Sequence, residues 1–136
     1  MDTVIVIMLK NSSTGFLEKE LSSITVEKND EFILNLFAIE ENGGTYLHIR
    51  VTTDKETKDW EYNAILDFYD TDVFKSVAVS ASEMEESCDP SWEIIVEYTD
   101  DTDKLTECVS NILAVHRKEL YEVYEIIADK ESEYSE

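Results

Sequence analysis

Near residue 100 the spacing of apolar side chains changes from every second position to every third or fourth, which requires a fold that joins a sheet to a long helix. Before the change, Trp92, Ile94, Val96 and Tyr98 alternate with Glu93, Ile95 and Glu97, the pattern of a strand with one buried face. After it, Leu105, Val109, Ile112, His116, Leu120, Val123 and Ile127 recur at steps of three or four, so they share one face of a helix reaching about Ala128. Asp100-Asp101-Thr102-Asp103 marks the junction: short oxygen-bearing side chains cap free amides, and carboxylates suit the positive end of the helix dipole.

The rest of the chain reads mainly as strands. Thr3 to Leu9 is apolar on both alternating faces, and Phe16 to Glu27 shows mixed alternation after the polar turn Asn11 to Gly15. Phe32 to Ile39 and Thr45 to Thr53 flank Asn42-Gly43-Gly44, a hairpin signal because glycine adopts positive φ without steric cost. In the second arm Leu47, Ile49 and Val51 oppose Tyr46, His48, Arg50 and Thr52, so His48 is expected at the surface. Trp60 to Tyr69 fits two patterns, a strand with Trp60, Tyr62, Ala64, Leu66 and Phe68 on one face or a helix over 57–69, and the strand is preferred. Ser76 to Ser82 alternates Val77, Val79 and Ala81 with small residues, as a further strand would.

These patterns predict an α+β fold: an antiparallel sheet of six or seven strands, mostly a meander, with the long C-terminal helix across one face. One domain over residues 1–128 is expected, followed by a polar tail at 129–136 that frays. Thr3 to Leu9 and Phe32 to Ile39 call for cover on both faces, from a second helix or from a homodimer interface. Tyr121 and Tyr124 are candidate contacts in the dimeric case, and the chain is expected to be a monomer or a homodimer.

Charge excludes several functions. The 136 residues include 32 acids and 11 Lys or Arg, a net charge of −21. Such a chain does not bind nucleic acid directly or an anionic membrane through a basic field. The apolar run Val4 to Leu9 is short for a signal peptide or a membrane span and has no basic segment before it, so a cytoplasmic location is expected, with Cys88 and Cys108 as free thiols. Residues 83–107 hold ten acids against Lys104 alone, and Glu93 and Glu97 share a strand face. Glu85, Glu86, Asp89, Glu93, Glu97, Asp100, Asp101 and Asp103 are therefore the candidate partner-binding residues.

Chemistry-bearing motifs are sparse. The three glycines form no phosphate loop, and His48, His116, Cys88 and Cys108 lack metal-ligand spacing. Asp70-Thr71-Asp72 and the 100–103 cluster lack the calcium-loop pattern. No catalytic residue, cofactor or metal is assigned. His116 lies in the apolar stripe with Glu119 one turn on, and is expected as a neutral core histidine. The leading expectation is a small acidic, non-enzymatic binding module that docks a basic protein surface, as an inhibitor, immunity protein or chaperone does. Two alternatives are a DNA mimic that inhibits a nucleic-acid-binding enzyme, and a ligand-binding or catalytic domain with a pocket between sheet and helix lined by Trp60, Trp92, Tyr98 and His116.

Overall fold

A computed structural model describes residues 2–85 and 87–134. Six strands, β1 (Thr3–Lys10), β2 (Leu17–Val26), β3 (Ile33–Glu41), β4 (Gly44–Thr52), β5 (Ser80–Glu83) and β6 (Ser91–Glu97), form one sheet in the order β2-β1-β3-β4-β6-β5. Helix α1 (Asp59–Phe68) follows β4, and α2 (Thr102–Ile127) follows β6. The architecture is α+β with the long C-terminal helix, but the sheet is mixed and is not a meander. β1 and β3 pair in parallel at Leu9 and Ala38, while every other neighbouring pair is antiparallel. The reason is that β2 takes the outer side of β1, so residues 27–32 must carry the chain back across to its inner side. A 3-10 turn at Asp30–Phe32 sits on that crossing and buries Phe32. Turn signals report local hairpins, and a crossing of this kind has none.

Trp60 to Phe68 is helical, against the preferred strand reading, and Tyr69 follows as the extended residue that ends the helix. Glu61 decides this locally: its Oε1 accepts the Lys58 amide at 3.0 Å, and its Oε2 takes Lys55 Nζ at 3.0 Å. An acid at that position satisfies an otherwise orphaned amide and meets the helix dipole favourably. Helical spacing then buries Ala64, Ile65 and Tyr69 and leaves Phe68 partly exposed. The strand expected over 76–82 starts only at Ser80, because a 3-10 turn at Thr71–Phe74 inserts Phe74 into the core first.

The stripe on α2 is buried as its spacing predicts, with Leu113 added. At about 1.5 Å per residue the 26-residue helix is about 39 Å long, enough to cross the sheet. It packs on β2 and β4 and alongside α1. Ile7, Ala38, Leu47, Ile49, Val51, Trp92 and Ile94 face it from the sheet with essentially no solvent contact. Residues 131–134 form a short helical turn, α3, lying on α1, where Tyr134 Oη donates to Asp67 Oδ2 at 2.7 Å. Residues 135 and 136 of the expected polar tail lie outside the described residues. Cys88 and Cys108 are free thiols.

Candidate binding surface

The pairing of β3, β4 and β6 sets which acids are neighbours. Glu97 lies opposite Tyr46, and the Tyr98 amide bonds to Thr45 O at 3.0 Å. In the hairpin, Glu40 pairs with Thr45 and Glu41 with Gly44. The hairpin end of β3 and β4 therefore lies beside the segment that leads from Glu97 into α2. Glu40, Glu41, Glu97, Asp100, Asp101 and Asp103 form an exposed acidic rim there, with Lys104 the one cation of residues 97–107. Glu40 and Glu41 escaped the sequence reading. The Asn42-Gly43-Gly44 turn signals their hairpin, but nothing local signals that β6 pairs with β4 across the intervening helix.

The candidate acids separate into distinct roles. Glu85 is exposed in the β5–β6 connection, at the opposite end of β6 from the rim; seven extended residues span about 20 Å. Glu86 lies outside the described residues. Asp89 is partly buried, and its Oδ1 accepts both the amide and the hydroxyl of Thr57 at 2.8 Å, so it ties that loop to the start of α1. Glu93 accepts Arg50 Nε at 2.9 Å. Asp101 caps α2 by accepting the Asp103 and Lys104 amides at 3.2 Å. Among the described residues Glu97, Asp100 and Asp103 have no such partner, and all three are exposed.

His48 is not at the surface. It is only 6% exposed, stacked on Phe37 with ring centroids 5.4 Å apart, and Lys10 and Arg50 lie over the same Phe37 ring at 4.4 and 4.8 Å. Among the described residues neither His48 ring nitrogen has a hydrogen-bond partner, although Glu93 Oε2 is 3.4 Å from Nδ1.

His116 is fully enclosed, and its partners are not Glu119. Its Nε2 lies 2.8 Å from Thr52 O and its Nδ1 2.8 Å from Tyr69 Oη. A carbonyl only accepts, so Nε2 carries the proton and Nδ1 accepts from the tyrosine. Burial lowers the imidazole pKa to about 4, outweighing the opposing effects of the Thr52 carbonyl and Asp54, so the ring is neutral at pH 7. Glu119 instead accepts the Asp70 amide at 3.0 Å. Trp92 stacks on Tyr69 at 4.0 Å and Tyr98 Oη meets Ser22 Oγ at 3.0 Å, so both rings are spent on internal packing. Trp60 packs at the edge of the same core. Open hollows lie elsewhere, such as one of about 580 Å³ bordered by Thr3, Lys28, Asp30 and Arg117.

Tyr121 and Tyr124 both donate to Asp54, at 2.6 and 2.9 Å, joining α2 to the loop after β4. Burial alone would raise the Asp54 pKa, but the two phenolic donors, a backbone hydrogen bond and the Lys55 charge together outweigh it and hold the carboxyl below its ordinary value. Among the described residues no group of three or more His, Cys, Asp or Glu side chains is placed to hold a metal, and no helix is long and apolar enough to cross a membrane.

The chain belongs to DUF6762, a family of unknown function whose model matches residues 1–135. No curated protein and no solved structure matches it.

Proposed function

We propose that this protein is a non-enzymatic binding module that docks a basic protein surface through the acidic rim. The observation that carries this reading is the convergence of carboxylates from two segments far apart in sequence, Glu40-Glu41 and Glu97 to Asp103, at one end of the sheet. Carboxylates crowded together repel one another, and a cationic partner relieves that repulsion as it binds. Complementary fields of this kind accelerate encounter and select partners by sign of charge. Asp89, Glu93 and Asp101 use their carboxylates in bonds within the fold, whereas Glu40, Glu41, Glu97, Asp100 and Asp103 are exposed.

The test is affinity capture at about 50 mM and about 500 mM salt, a range over which surface charge is strongly screened. Two variants of equal charge are compared, E40K/E97K/D100K on the rim and E107K/E122K/E125K on α2. Specific partners should be basic, should be released by salt, and should be lost with the rim variant alone. Equal retention by both variants, or equal loss, would refute the rim as the docking surface.

A further inference from the structure

The strand order β2-β1-β3-β4-β6-β5 leaves β2 and β5 as the two edges of the sheet. A free edge presents unpaired amides and carbonyls, a template for another strand. β2 is interrupted as a template: its register to β1 shifts twice, passing over Leu21 and Glu18, and such bulges twist an edge away from pairing. β5 pairs with β6 from Ser80 to Glu83 without a shift, and those four residues include neither proline nor lysine. The Met84 amide bonds to Ser91 O at 2.9 Å, and inward-facing and outward-facing residues alternate along an antiparallel ladder. Ser80 and Ser82 therefore direct their amides and carbonyls to β6, while those of Ala81 and Glu83 point outward. Among the described residues nothing takes them.

The surroundings of this edge say what kind of strand fits it. Ala81 and Glu83 lie opposite Ile94 and Trp92, which are fully buried, so both are on the helix-covered side of the sheet. Beside Ala81 is a hollow of about 280 Å³, bordered by Phe74, Ala78 and Val79, of which Val79 is 58% exposed. The charged residues at the hollow, Asp72 and Lys75, already pair with each other at 3.5 Å. Glu83, and Glu85 just beyond it, are exposed, and among the described residues no cation pairs with either. Side chains of an added strand share a side of the sheet with the residues they lie opposite. One therefore enters the hollow beside Ala81, and the next on that side meets Glu83. An aliphatic residue suits the first place and a lysine or arginine the second. A second copy of this chain is the poorer occupant, since each copy carries a net charge of −21.

We infer that the outer edge of β5 is a docking site for an extended basic segment of another protein, which joins the six-stranded sheet as a further strand, with an aliphatic side chain beside Ala81 and a lysine or arginine beside Glu83. Backbone bonds supply the attachment and the two side chains the selection, as when a peptide strand is added to an exposed edge. Ala81 and Glu83 offer the outward groups of a short strand, so an isolated segment binds weakly and exchanges fast. The site is separate from the acidic rim and stands whether or not the rim binds.

Titration of the full chain with the peptide Thr-Lys-Thr-Val-Thr-Lys-Thr, to about 5 mM in about 150 mM salt and followed by amide NMR, tests this. Its alternation puts valine and both lysines on one side in either chain direction. The expected shifts centre on residues 79–84 and 71–75. Ala81→Pro deletes an outward amide and no bond to β6, and should weaken binding about fivefold or more. Glu83→Lys should do the same, and it supplies the readout if the proline variant loses structure. A peptide with proline in place of valine keeps the charge but lacks the central amide, and should bind about fivefold more weakly or worse. E40K/E97K/D100K on the rim should leave the affinity within about twofold. No binding at the highest concentration, shifts spread over the acidic surface, equal affinity for the two peptides, or binding that A81P and E83K both leave unchanged would overturn the inference. So would edge shifts that grow with protein concentration alone, since they would place a second copy on β5.

Discussion

Tyr69 Oη donates to His116 Nδ1 at 2.8 Å, joining the residue that ends α1 to the middle of α2 beneath the sheet. Since His116 also donates to Thr52 at the end of β4, one imidazole links three elements while carrying no charge.

Stability should therefore fall as pH drops from about 6.5 to about 4. Above 6.5, the ordinary histidine value, neither state binds a proton at this site; between the two values only the unfolded chain does. The proton uptake favours unfolding, by about 3 kcal/mol at the acid end of the window. Urea unfolding at intervals across the window should show this slope, and His116→Leu, less stable at pH 7, should flatten it. An equal slope in the variant would assign the effect to other groups.

Tyr69→Phe removes the donor and keeps the ring that stacks on Trp92. It leaves a buried acceptor unsatisfied and should cost about 1–3 kcal/mol. Denaturant titration should show a lower midpoint with an unchanged slope, since the surface exposed on unfolding is the same.

Neighbouring acids of the 100–103 cluster should behave differently. Asp101→Ala removes the cap of α2 and should destabilise by about 1 kcal/mol. Asp100→Ala, with no such bond to lose, should stay within about 0.5 kcal/mol. Thermal unfolding of the two variants side by side separates the acid that holds the fold from the one offered to a partner.

The β3–β4 hairpin depends on its turn backbone. Gly43 sits at φ +83° with open space where a side chain would go, so Gly43→Ala adds strain without a clash. The expected loss is about 1–2 kcal/mol. A larger loss of rim-dependent capture than of stability would show that the turn also positions Glu40 and Glu41.

What the sequence determined by itself was everything governed by near neighbours along the chain. The α2 stripe, its Asp101 cap, the Asn42-Gly43 turn and the alternation of β4 and β6 are all set within a few residues, where backbone geometry dictates which side chains share a face. Tertiary structure decided the rest. Whether Trp60 to Tyr69 coils or extends depended on Glu61 reaching back to Lys58 and on space for Ala64 and Ile65 beside α2. The placement of β3 beside β1 came from a crossing that no turn motif encodes. His48 was read as wet because its strand alternates, yet Phe37 from the neighbouring strand stacks on it, and Lys10 and Arg50 lie over that Phe37 ring. The acidic stretch was divided in the same way: Arg50, Thr57 and the amides of α2 occupy three of its carboxylates, while Glu40 and Glu41 arrive from another hairpin. Local spacing reports which face a residue takes, but its neighbours on that face are set by strand order, which is a property of the whole chain.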